Sequence, residues 1–227
     1  MVIFVITLEC IGILLIFIAL MLLQNGDGAR EQKLLILIMC GSLVQNVGYL
    51  LELIAPNVEA ALTAVKVENV GSAFVPLCYC WFIYIYCYMT PPKLFLRVIG
   101  TFSFFSLPAV VVNWHGSFYS DVQWMTAAGG YHYISITYGP LYMIFLISRI
   151  LIPYTLCIHT LIRAIRLRSD QQINRQYWTI LGISSLPVLV LIAYVFKIVK
   201  LFDFTPVTLA IAMSMVVIVA VSYTHLR

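Results

Sequence analysis

The sequence predicts an all-α fold: a polytopic bundle of seven transmembrane helices, with the N-terminus outside and the C-terminus in the cytoplasm. Three observations predict it. The 227 residues are 63% apolar and only 10% charged, whereas soluble domains carry about 25% charged residues, so lipid is the solvent this surface suits. The apolar residues fall in runs of about 20, long enough to cross a hydrocarbon core about 30 Å thick at about 1.5 Å per residue. The basic residues are sorted by loop, which sets the orientation.

The first helix is expected over 2–23. It lacks a basic leader and its apolar stretch is too long for a signal peptide. Gln24-Asn25-Gly26-Asp27-Gly28 breaks it. The second is expected over 34–55, closed by Pro56-Asn57, and the third over 58–89, closed by Thr90-Pro91-Pro92. The fourth is expected over 94–112. A polar, aromatic stretch, 113–133, reads as the longest loop. The fifth helix is expected over 134–162, the sixth over 177–199 and the seventh over 206–222, leaving 223–227 as a cytoplasmic end.

With the N-terminus outside, the inner side holds Arg30, Lys33, Lys93, Arg97, Arg163, Arg166, Arg168, Arg175 and Arg227, nine of thirteen Lys and Arg. Lys197 and Lys200 fall outside, and the 113–133 loop has neither Lys nor Arg. The net charge of +4 therefore reports orientation and contact with anionic lipid, not nucleic-acid binding. Gly41, Gly48, Gly71, Gly182 and Ser184-Ser185 permit close helix approach. Pro76, Pro140, Pro153 and Pro187 each remove a helical hydrogen bond inside an apolar run.

Polar groups at membrane depth are costly and mark candidate sites. Glu9, Glu52, Lys66 and Glu68, with Asn69 beside them, sit at similar outward depths. Two readings stay open: an ion-pair network that fixes helix register, or contacts to a ligand. Arg149 lies about 20 Å down the fifth helix and joins Glu9 as a buried charge that pairs across the bundle or snorkels inward. Asn113 and His115 belong either to a ligand lid or to an interfacial aromatic belt. Tyr138 and Tyr142 open the fifth helix and suit either packing or a pocket wall.

The six cysteines all lie in apolar runs, so packing rather than a disulfide framework is expected. No metal site and no cofactor is expected. The sequence carries no HExxH, GxSxG or GxxxxGK[ST] motif, and the seventh run has no Lys for a retinal Schiff base.

An ordered set of motifs resembles a known family, the seven-transmembrane N-terminal sensor region of bacterial histidine kinases, a module also found ahead of diguanylate cyclases. Lys66-Val67-Glu68-Asn69-Val70-Gly71, then Pro76 and Trp81, is similar to its Lys-x-x-(Tyr)-x-Gly helix, with Asn69 where an aromatic is commoner. Val112-Asn113-Trp114-His115 is similar to its Thr-Asn-x-x-His loop, with a shorter spacing. Tyr138-Gly139-Pro140 and Asp203-Phe204-Thr205-Pro206 are similar to the openings of its fifth and seventh helices.

The resemblance spans essentially the whole chain. It implies the bacterial cytoplasmic membrane, an input domain rather than an enzyme, and a homodimer formed through a C-terminal coiled coil that this sequence does not contain. The ending at Val221-Ser222-Tyr223-Thr224-His225-Leu226-Arg227 reads as truncated, its last residues resembling translated adapter. The expected function is sensing of a small outward-side ligand through Glu52, Lys66, Glu68, Asn69, Asn113, His115, Tyr138 and Tyr142, with relay through the seventh helix to a missing output domain. The alternative is a small stand-alone transporter or proton-coupled channel, which needs polar groups through the midplane to the inner face.

Overall fold

The computed structural model describes residues 2–24, 28–127, 130–168, 170–196, 198 and 202–224. Helices α1 (Val2–Gln24), α2 (Arg30–Leu53), α3 (Val58–Ser72), α4 (Val75–Tyr86) and α5 (Lys93–Val112) lead to a hairpin of β1 (Tyr119–Thr126) and β2 (His132–Tyr138). Then come α6 (Pro140–Leu146), a π-helical turn (Ile147–Leu151), α7 (Ile152–Leu167), α8 (Gln171–Val195) and α9 (Thr205–Thr224). Because α3–α4 and α6–α7 each make one span, six stretches are long and apolar enough to cross a membrane, and Thr205–Val221 is a shorter seventh. The seven-helix membrane bundle read from the sequence is the fold of the chain.

The outer helices bury one seam and give the rest to lipid, whereas α9 is buried on most sides, with Met215 and Ile218 exposed. On α1 the buried residues are Val5, Glu9, Gly12, Ile16, Ala19 and Leu23, spaced by four and three as one helix face requires. Phe4, Leu14, Phe17 and Met21 point outward. The main core joins Ile38 and Met39 of α2, Phe82 and Ile83 of α4, Cys157 and Leu161 of α7, Ile180 of α8, and Val216 and Val217 of α9. All six cysteines are free thiols, with Cys80, Cys87 and Cys157 buried.

The closest approach is between α2 and α3. A Cβ built on Gly48 would stand 2.6 Å from the Glu68 backbone nitrogen, and one on Gly71 would stand 2.5 Å from that of Gln45. Only glycine lets the two backbones touch there. Gly182 differs from the expectation: nothing lies within 4 Å of its Cβ position, so it faces out of the bundle.

Four other departures have physical causes. Hydropathy marks the membrane, not the helix, so α2 and α8 begin earlier than 34 and 177, through polar helix formers at Arg30 and Gln171. Asp170 caps α8 by accepting from Gln172 and Ile173 N–H. The run 58–89 breaks at Ala73-Phe74 and ends at Tyr86. Pro76 has no N–H for the Ser72 carbonyl four residues earlier.

The expected fifth helix does not begin at 134, because Ile134-Ser135-Ile136-Thr137-Tyr138 alternates with the strand period of two. It pairs with β1, Trp124 opposite Ile134 and Met125 opposite Tyr133. The expected loop is thus half of an antiparallel hairpin, and the helix starts only at Pro140. Lys197, Lys200, the Asn25-Gly26-Asp27 part of the first breaker, and 225–227 of the cytoplasmic end lie outside the described residues.

Candidate functional site

The hairpin lies across one end of the bundle. Tyr131 Oη donates to the Leu53 carbonyl at the end of α2 (3.1 Å), and its ring packs on Phe202 just before α9. Asn113 starts the hairpin from the position just after α5. It sits in the left-handed region (φ 46°, ψ 51°), which Asn tolerates. Its Nδ2 donates to the Tyr119 carbonyl (2.9 Å), and its Oδ1 accepts from the N–H groups of Phe118 (3.0 Å) and Tyr119 (2.8 Å). His115 is exposed on the short turn that follows.

Beneath the hairpin is a cavity of about 160 Å³. It brings together six of the sequence-derived candidates: Glu52 from α2, Glu68 and Asn69 from α3, Tyr138 from β2, Tyr142 from α6, and Arg149 from the π turn. Lys66, Asn113, His115 and Glu9 are not among its lining residues. Lys66 stands two residues from Glu68, about 200° around the helix, and such pairs do not share a face. The expected outward cluster therefore forms without its cation. Glu9 is fully buried, with no hydrogen-bond partner for either oxygen among the described residues.

A third carboxylate, Asp203, joins Glu52 and Glu68 and interacts electrostatically with both. Its backbone N–H donates to Tyr49 Oη (2.8 Å), and its Oδ1 accepts from Thr205 N–H (2.7 Å). These bonds fix the side chain ahead of α9. Burial pushes its carboxyl up to about 6, against the lowering pull of the Thr205 hydrogen bonds. On α2, Gln45 joins Glu68 in the cavity lining.

Arg149 marks the other level of the cavity. It is 5% exposed. Nη1 donates to Ser106 Oγ and Nη2 to Ser72 Oγ, both at 3.3 Å, while Nε has no partner among the described residues. The side chain neither snorkels nor meets a carboxylate. Its π turn has a local cause: Pro153, four residues on, offers no N–H to the Arg149 carbonyl. Ser72 and Arg149 thus touch where each of their helices is interrupted by a proline four residues later.

Aromatic groups line the space between. The rings of Tyr138 and Tyr142 stack 3.7 Å apart. Asn69 Nδ2 donates to Tyr119 Oη (3.2 Å), tying α3 to the hairpin. Deeper, Tyr79 and Ser184 share a short hydrogen bond, and Tyr154 Oη donates to Ser185 Oγ (2.8 Å). From α9 come Thr205, Leu209 and Met213, a stripe at intervals of four. Among the described residues no group of three His, Cys, Asp or Glu is placed to hold a metal.

Sequence reasoning missed Asp203, Gln45, Ser72 and Tyr194 as lining residues. Asp203 had a signal, since it heads the Asp203-Phe204-Thr205-Pro206 motif, but nothing in the motif says which way the side chain turns.

This fold defines a multi-pass membrane protein of the seven-helix class, with a cavity beneath the hairpin whose walls are charged, aromatic and apolar. Residues 7–227 match the family described as the N-terminal 7TM region of histidine kinase, and the chain belongs to that family. The region is a non-catalytic input domain. No individual curated protein matches the chain.

Proposed function

We propose that the chain is the signal-sensing input domain of a two-component histidine kinase in the bacterial cytoplasmic membrane. A small ligand occupies the chamber from the outer side, against Glu52, Glu68, Asn69, Tyr138, Tyr142 and Arg149, with Asp203 as a further contact. Asn113 and His115 shape the lid, and Lys66 stays outside the contact set. The observation that carries this reading is the course of α9. It lines the chamber through Leu209 and Met213 and continues into the main core through Val216, Val217 and Ala220. One helix therefore touches both the chamber and the opposite end of the bundle, where the chain would pass to a cytoplasmic output domain and a dimerising coiled coil. A ligand shifts such a helix only if it binds one arrangement better than the other.

Charge sorting supports the orientation, with the hairpin outside and α9 ending inside. A transport path is disfavoured because the polar lining stops at the Tyr79–Ser184 level and the core below it is Ile38, Phe82, Ile83 and Val217.

The test joins the catalytic core of a characterised histidine kinase in helical register after residue 224. Val188→Trp fills the chamber from α8, while Leu189→Trp on the same helix faces lipid. Autophosphorylation changing at least several-fold with Val188→Trp but not with Leu189→Trp is the expected result. Equal output from both overturns the relay. Proton flux through proteoliposomes of the unmodified chain would favour transport instead.

A further inference from the structure

We infer that the chamber is built for a small zwitterion, one molecule carrying an anionic and a cationic group, of amino-acid size. This rests on the sensing reading above and names its ligand class.

The chamber has two charged levels. Glu52, Glu68 and Asp203 form one. Arg149 forms the other, held by Ser72 and Ser106. Glu68 and Ser72 are one turn apart on α3, about 6 Å along the helix axis, so the carboxylate level and the guanidinium level are offset by about that distance.

Neither level is balanced alone. Arg149 is 95% buried if 5% is exposed, its Nε has no partner among the described residues, and its other two bonds go to neutral hydroxyls. A buried guanidinium without a counter-ion is costly and calls for an anion. Three carboxyl groups in one region cannot all be ionised without a cation among them. The two levels do not neutralise each other, because the serines and the π turn hold Arg149 at its own depth.

A simple anion would satisfy Arg149 and face the carboxylates. A simple cation would leave Arg149 unpaired. A zwitterion answers both, its anion forked onto the guanidinium and its cation between the carboxylates and the stacked faces of Tyr138 and Tyr142. Volume limits the rest of the molecule. About 150 Å³ accommodates a benzene-sized molecule, and 160 Å³ suits one amino acid rather than a peptide. Ile134, Ile136 and Phe145 in the wall favour an apolar side chain.

The test follows thermal unfolding of the full chain in lipid nanodiscs. The probes are the twenty common L-amino acids, γ-aminobutyrate and glycine betaine, each beside the amine lacking its carboxylate and the acid lacking its nitrogen. At least one zwitterion should raise the melting temperature in proportion to the logarithm of its concentration, with both half-molecules at least about 100-fold weaker. Arg149→Gln and Glu68→Gln should each weaken it at least tenfold. The half-molecule comparison needs no variant, so a variant that fails to fold does not remove the test. An amine or an acid that binds as well as its parent overturns the zwitterion class and leaves chamber sensing standing. No shift from any probe also overturns the class, while the relay is judged separately by Val188→Trp.

Discussion

Replacing Gly48 by alanine tests the α2–α3 contact that places Glu68 in the chamber wall. The new Cβ would stand 2.6 Å from the Glu68 nitrogen and 2.8 Å from its Cα. Ordinary contact begins at 3.4 Å, so the helices must part by about 0.8 Å, and backbone atoms cannot swing aside as a flexible side chain would. Overpacking of this kind costs about 1–3 kcal/mol. Any Gly→Ala change in a helix also gains about 1 kcal/mol of propensity, so Gly182→Ala is the reference: it has the same gain and no neighbour within 4 Å. The difference between the two variants isolates the clash. At roughly 2–4 °C per kcal/mol for a chain of this size, Gly48→Ala should melt about 2–12 °C below Gly182→Ala in the same detergent. Equal melting temperatures would refute direct backbone contact between α2 and α3.

Two further outcomes follow from the site. Asp203 is raised to about 6 from an unfolded value near 4, so the folded state binds the extra proton between those values. Its contribution to stability is then greatest below about pH 4, falls as pH rises to about 6, and stays flat above, by up to roughly 3 kcal/mol. Asp203→Asn should remove that slope, read as the difference between variant and wild-type melting curves across pH 4–8, with Glu9, Glu52 and Glu68 setting the common background. Asn113→Ala removes three hydrogen bonds at the start of the hairpin and puts alanine in the left-handed region. It should cost about 2–4 kcal/mol and speed proteolysis within β1 and β2, while Gln123→Ala on the exposed strand face should not.

The bundle was legible because each crossing is a length of apolar chain, and length needs no knowledge of partners. The prolines were legible as weak points but not as breaks: Pro76 and Pro153 follow interruptions, whereas Pro187 stands inside the continuous α8 and Pro108 inside the continuous α5. The hairpin was hidden by the same hydropathy that revealed the helices. Ile134 and Ile136 read as the start of an apolar run, and the alternation with Ser135 and Thr137 is only five residues long. In the chamber, Glu52, Glu68 and Arg149 announced themselves by their cost in a membrane. Lys66 did so equally, yet its spacing of two from Glu68 already puts the pair on opposite faces of α3, and only the fold says which face meets the chamber. Asp203 stands in a connection where a carboxylate costs nothing by itself. What brings it to the chamber is the Tyr49 hydroxyl, 154 residues away in sequence.

The paired interruptions have a mechanical meaning. At the level of the chamber, α3–α4 and α6–α7 are each two rods with a joint, and at both joints proline has already removed the hydrogen bond that bending would break. The outer rod α3 is held backbone to backbone against α2 at Gly48 and Gly71, so the freedom at the joints falls to α6 and the hairpin it continues, while α4 and α7 stay seated in the main core. Helix α9 has no proline beyond its first turn and so behaves as a stiff lever. A jointed rod beside a stiff one divides the labour of bending: tilt is absorbed at the proline joint of α6–α7, and α9 can move only as a whole.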